Sequence, residues 1–459
     1  MKQVSVLVVF LICAALDDRN FLPSQTLAGL ADAPPPQAYA FINGQWFDGA
    51  SFQRTIWYAV EGRLTQRPPA GAVETVDLAG AFIVPPFGEA HNHNVEGEGN
   101  LDSVVARYLR DGIYYVKIPN NVREFAVKIR SKVNRSSTID VTFAHAGLTG
   151  TGGHPGTLYE DVLRAGRYEP VVGPLERGWF RNRAYVEMDT RQEVEDKWAI
   201  VLNGEPDFIK AYLVHSEDAG TERLGATTGV RRGLNPTLLP VVVAKAHASG
   251  KRVTVHVETA ADFRLAVQAG ADEIAHLPGW LVRNARDVEL ARLTEDDARL
   301  AAEREVIIVT TTVAGKAMPA AATSHLHDDH PGGDHDLGDG ERHGDAPALR
   351  HDARKVQGEN LALLRRHGVR LAIGSDHADT SLAEVTHLRT FHLFDNLTLL
   401  KMWCEATPAA IFPERKIGRF AEGYEASFLA LAGNPLDEFE AVQAIRLRVK
   451  QGRLLPAPP

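Results

Sequence analysis

Five residues of this 459-residue chain are of types that ligate a divalent cation and stand where strands would end. His91 and His93 flank Asn92 and follow the apolar run Phe82, Ile83, Val84, Pro85, Pro86, Phe87. Residues two apart on a strand face the same side, so both imidazoles can reach one cation. His256 closes Val253, Thr254, Val255, and His276 closes Glu273, Ile274, Ala275. The residues between these two histidines make one helix and one strand, which places them on neighbouring strand–helix units. Asp376 closes Leu371, Ala372, Ile373, Gly374, Ser375. Four neutral imidazoles and a carboxylate suit zinc or a similar divalent ion. Other histidines read differently. His247 ends a helical stretch and suits a packing or capping role. His154, in the Gly-rich segment Thr151, Gly152, Gly153, and His145, near a strand end, are candidate substrate contacts, whereas His215, Glu217 and Glu258 either line the site or are solvated.

Such ligands converge only if the elements carrying them do. Apolar runs near residues 81–84, 113–117, 140–144, 207–212, 253–257, 273–275, 306–311 and 371–373 alternate with mostly helical segments, the pattern of a parallel sheet. Eight such units close most economically into a (β/α)₈ TIM-like barrel, here spanning residues 85–417. Short β-like runs with turn signals at Asn43-Gly44, Asp48-Gly49 and Glu61-Gly62 fill 38–84 and return at 418–455. The two ends are expected to pair into a small β-sandwich domain into which the barrel is inserted. The long connection 147–206 follows the third strand and is a candidate lid or substrate wall. Residues 324–352, with six histidines among Asp and Gly, read as a His-rich insertion after strand seven that either gathers metal weakly or is a disordered polar loop.

Composition bounds the partners. A formal charge of −9 and no Lys/Arg cluster argue against nucleic-acid binding, and 44% hydrophobic with 24% charged residues is ordinary for a globular protein. Lys2 precedes an apolar run over 4–16 that ends at Asp17, too short for a relaxed membrane span. Residues 1–33 are therefore expected to be a signal peptide and leader of an exported, periplasmic or secreted protein with no stable membrane span after its removal. With Cys13 lost, Cys404 stands alone and no internal disulfide holds the fold. The expected partner is a small-molecule substrate, with a homo-oligomer possible in principle.

From residue 39 to 455 the chain resembles the amidohydrolase superfamily. The resemblance rests on His91-x-His93, the single histidines 256 and 276, Asp376, Ala406-Thr407-Pro408-Ala409-Ala410, and Ile417-Gly418-Arg419-Phe420-Ala421-Glu422-Gly423. Ser375 and Ser427 depart from it, standing where many relatives carry Thr and Asp. In Asp207-Phe208-Ile209-Lys210, Lys210 falls at the strand-four position where binuclear relatives carry a carboxylated lysine, and with Gly152-Gly153-His154 the string is similar to prolidase-like dipeptidases. The resemblance implies one or two divalent cations; with two, His91 and His93 would hold one and His256 and His276 the other, bridged by carboxylated Lys210. Asp376 would ligate and also carry the proton. His154 and Tyr212 would meet substrate. The implied reaction is hydrolysis of a C–N bond by a metal-bound hydroxide, in a dipeptide or N-acyl amino acid. The competing expectations are a cyclic amide or lactone hydrolase, a mononuclear deaminase, and a non-enzymatic metal-storage protein.

Overall fold

A computed structural model describes residues 38–219, 232–314 and 346–457. The expected leader at 1–33 lies outside these residues, as does the His-rich stretch up to residue 345. Its last seven residues do not behave as the sequence suggests. They open the helix Ala346–Arg366, because the polar residues around His351 form the exposed first turns of a helix whose buried side begins at Val356.

The chain ends build one mixed sheet. Strands β1 (Ala38–Phe47), β2 (Phe52–Val60), β3 (Arg63–Thr65), β4 (Glu74–Asp77) and β5 (Phe82–Val84) combine with β16 (Phe428–Leu431), β17 (Ile445–Lys450) and β18 (Arg453–Leu455) in the order β18-β17-β16-β5-β1-β2-β3, β4 pairing with β1. Glu61 and Gly62 both take positive φ, 49° and 75°, as the tight hairpin between β2 and β3 requires. The sheet curls over its own aromatic core, where Phe41, Trp46 and Phe428 meet at centroid distances of 4.8–6.5 Å.

Eight further strand positions run parallel. They are β6 (Phe87–Glu89), β7 (Ile113–Ile118), β8 (Asp140–Phe143) with its continuation β9 (Gly147–Thr149), β11 (Ile209–Tyr212), β12 (Val253–His256), β13 (Glu273–Ala275), β14 (Ile307–Val309) and β15 (Arg370–Ala372), while β10 (Tyr185–Glu187) adds alongside β9. The expected first strand at 81–84 is corrected here: as β5 it pairs with β1 and β16 in the mixed sheet. Pro85 and Pro86 have no N–H to donate, so the β5 ladder stops there and the first parallel strand starts at Phe87. Hydrogen bonds join the parallel strands across both gaps. Asp207 N donates to Phe143 O at 2.8 Å on one side, and Ala90 N to Ile373 O and Asp376 N to His91 O, at 2.8 and 2.7 Å, on the other. The connection 147–206 is ordered, with a π-helix at Leu158–Tyr168 packed on Phe180 through Tyr159 and Tyr168.

A buried charged cluster fastens the mixed sheet beneath the parallel strands. Lys450 Nζ lies 2.6 Å from Asp140 Oδ1, and Arg415 reaches Asp140 Oδ2 at 2.8 Å and Glu425 Oε2 at 2.6 Å. Ser427 Oγ donates to Glu425 Oε1 at 2.7 Å, so the carboxylate missing at position 427 is supplied two residues earlier. Lys450 is fully buried and keeps only the Arg135 carbonyl if Asp140 is lost. An uncompensated buried ammonium is costly, so Asp140→Asn is expected to lower unfolding free energy by about 3–5 kcal/mol in urea titrations. A loss below about 1 kcal/mol, the range of surface pairs, would contradict that role.

Candidate metal centre

All the parallel strands point their C-terminal ends the same way, and the backbone there is unusual. His145, His215, His276, Thr311 and Asp376 follow five of these strands and hold φ between 43° and 77°. Non-glycine residues in this left-handed region are strained, and such strain gathers at functional sites. At the seam between β6 and β15, Asn92 and Asp376 form a parallel bridge. Glu89 accepts from Ser375 N at 2.9 Å and from Ser375 Oγ at 2.5 Å, and Asn92 Nδ2 donates to the same hydroxyl at 2.9 Å. Gly374 is required here, since a Cβ would come within 2.9 Å of His91 N. Burial raises the Glu89 carboxyl to about 8.

This seam presents three ligand atoms to one another. His91 Nε2 and His93 Nε2 stand 3.5 and 3.3 Å from Asp376 Oδ1. His276 continues the group, its ring centroid 4.6 Å from that of His91 and 4.7 Å from that of His256. His276 Nδ1 is held by Thr311 Oγ1 at 2.9 Å, and His93 Nδ1 lies 3.3 Å from Asn120 O. Such second contacts fix a ligand imidazole's orientation. Burial drives His91, His256 and His276 below their ordinary values, leaving neutral rings able to ligate. For Asp376, burial pushes the carboxyl up, but His377, His91 and His93 outweigh it and keep it well below the carboxylate range.

Lys210 is 1% exposed, and its Nζ has no hydrogen-bond partner. Burial pushes the amine down to about 7. His91 Nδ1 and His256 Nε2 are buried and without a hydrogen bond as well. Buried polar atoms are rarely left unsatisfied, and this nitrogen and oxygen set matches the donors of zinc or a like ion. Thr254 and Glu273, in register with Lys210, hold a different lysine: Lys117 Nζ bonds Glu273 Oε1 at 2.7 Å and Thr254 Oγ1 at 2.9 Å.

The six ligand candidates His91, His93, Lys210, His256, His276 and Asp376 thus stand at one end of the parallel strands. The two candidate substrate residues are beside them: His154 lies 5.1 Å from both the Tyr212 and His256 rings, and Tyr212 lies 5.2 Å from His256. Gly147 makes room, because a Cβ there would come 2.3 Å from the Tyr212 ring. His145 turns away to Gly204 O, and His247 pairs with Asp272. Glu258 sits 3.6 Å from His256 Nε2 and 3.3 Å from Arg283. Sequence reasoning missed Trp280, stacked on His276 at 4.3 Å, His377, 3.4 Å from Asp376 Oδ2, and Glu89. The period-two series Glu89, His91, His93 was the available signal for Glu89. Trp280 and His377 sit in loops, where no periodicity marks them.

No protein-family model matches the chain, and no curated protein matches it by sequence. Solved structures do. The chain shares the fold of amidohydrolases and prolidases. An amidohydrolase superposes with TM-score 0.63 at 21% identity over 91% of this chain and 98% of its own. A prolidase solved with N-methylphosphonate-L-proline gives 0.65 at 17% over 91% and 99%. An A. niger ochratoxinase gives 0.65 at 16% over 91% and 95%. These agree with the superfamily resemblance carried by the residues above.

The depressed Lys210 amine has a measurable sign. Between about pH 7 and its ordinary value of 10.5 the unfolded lysine holds a proton that the folded one lacks, so stability of metal-free protein rises with pH there. Lys210→Met is expected to stabilise metal-free protein most below pH 7, by about 1–4 kcal/mol, with the gain vanishing toward pH 10.5 in urea titrations. A pH-independent difference would show that the amine is not buried unpaired.

Proposed function

We propose that this chain is a metal-dependent hydrolase of a C–N bond in a small molecule such as a dipeptide or N-acyl amino acid. It would be exported, with residues 85–417 forming a closed (β/α)₈ barrel. The observation carrying the reading is the buried Lys210 amine, without a hydrogen bond and 5.1 Å from the Tyr212 ring centroid, among His91, His256, His276 and Asp376. Structural lysines at this depth pair with a carboxylate, as Lys117 and Lys450 do. An amine unprotonated near neutral pH can instead add carbon dioxide. Its nitrogen lone pair forms the N–C bond, one C–O π bond opens onto oxygen, and the nitrogen proton leaves to solvent, giving a carbamate.

Residues His91, His93 and Asp376 would hold one zinc-like cation and His256 and His276 a second, with the Lys210 carbamate between them. Bound cations lower the pKa of water and polarise a carbonyl. Asp376, held ionised, takes the proton of the attacking water and passes it to the leaving nitrogen. Its other oxygen faces His377, which keeps the carboxylate aimed. Tyr212 and His154 wall the substrate side, and Trp280 covers His276 against water.

Wild-type protein is expected to carry two ions per chain by elemental analysis after dialysis. Lys210→Ala should carry one or none and lose turnover of dipeptides or N-acyl amino acids, with partial return when a short carboxylic acid is added. Two tightly held ions and normal turnover in that variant would reject the bridge. Asp376→Asn keeps a carbonyl ligand but cannot accept the proton. It should retain metal while turnover falls by about 10²–10⁴-fold; near-normal turnover would remove Asp376 from proton transfer.

A further inference from the structure

The long connection after β8 delivers a cation to the metal centre's rim that the reaction does not use. Arg167 occupies the penultimate position of the helix Leu158–Tyr168. Its Nη2 donates to the backbone oxygen of His93 at 3.1 Å, so the guanidinium is tied to the segment carrying a ligand candidate. Its charge also reaches His377, whose ring stacks on His93 at 5.4 Å and faces Asp376. The helix is held by packing: Tyr168 stacks on Phe125 and Tyr159 at 6.0 Å, and Tyr168 Oη donates to Glu96 Oε2 at 2.8 Å.

Among the described residues Glu96 is the carboxylate paired with Arg167, at 3.6 Å, beyond a hydrogen bond. That pairing aims the guanidinium without consuming its N–H groups. A guanidinium has five donors, and one is engaged here. The Arg167 side chain remains 38% exposed, so it is reachable from solvent. A planar fork of open N–H groups matches a carboxylate, which it binds with two parallel hydrogen bonds.

We propose that Arg167 binds a free carboxylate on the substrate, restricting the site to amides whose amine or acyl part ends in an anionic group, such as N-acyl amino acids and dipeptides with a free C-terminus. The inference rests on the hydrolase reading above for its substrate class. It assigns the connection 147–206 a recognition role, separate from the chemistry at the strand ends.

The test compares N-acetylglycine with its uncharged amide by calorimetry on metal-loaded protein, in an Asp376→Asn background so that the probes persist. Hydrogen bonds to charged groups are worth enough for the acid to bind about 10- to 100-fold more tightly than the amide. Arg167→Ala should abolish that preference, and Arg167→Lys, which keeps charge but not the fork, should retain part of it. If Arg167→Ala does not fold, the lysine variant decides alone: an undiminished preference in it overturns the proposal. Equal binding of acid and amide before substitution, or a preference that survives Arg167→Ala, also overturns it. A preference lost with Arg167 but accompanied by no hydrolysis of either probe by wild-type protein would keep the carboxylate site and reject the hydrolase reading.

Discussion

The site depends on the seam where the first parallel strand meets the last. Glu89 on β6 takes two hydrogen bonds from Ser375 after β15, across 286 positions of sequence, and Asn92 takes up the same hydroxyl. Each bond is made in a fully buried setting, where an unmatched partner would cost the whole desolvation of the group. Because of them, His91 and His93 come to rest within 3.5 Å of an Asp376 oxygen. Nothing local to either strand could do this. The ligand candidates from β12 and β13 are positioned by a different means, the parallel register that sets His256 opposite Ala275 and leaves His276 one residue beyond.

Much of this was legible in the chain because its signals are local. His91 and His93 at period two, and His256, His276 and Asp376 closing apolar runs, read directly as residues at strand ends, and that is where they stand. The turn at Glu61-Gly62 was readable for the same reason. What escaped was set by long-range pairing. The run 82–84 looks like any buried strand, and only its partners, β1 and β16, assign it to the mixed sheet. Whether Ser427 weakened the returning segment could not be judged without knowing that Glu425 turns toward Ser427 and Arg415. Trp280 and His377 reach the site through loop geometry that no periodic pattern encodes.

The two sheets solve different problems with buried charge. Under the mixed sheet, Asp140, Lys450, Arg415 and Glu425 satisfy one another, so the charges specify how the chain ends dock. At the strand ends the balance is withheld: Lys210 Nζ and His256 Nε2 are buried without hydrogen bonds, and His276, Thr311 and Asp376 keep left-handed backbone. Stability is given up where chemistry is expected and recovered below.

The bonded group of Lys117, Glu273 and Thr254 has a consequence for the order of events. These side chains are at most 3% exposed and bonded to each other, in register with Lys210. On the proposed reading, carbon dioxide, cations and substrate would reach Lys210 from the side of the strand ends where the Tyr212 and Trp280 rings stand 5.2 and 5.6 Å from His256. Carbamate formation would then have to precede substrate binding, because a substrate seated over His256 and His276 would stand between solvent and an amine not yet modified. If so, substrate present before that step would delay the first turnover relative to later ones.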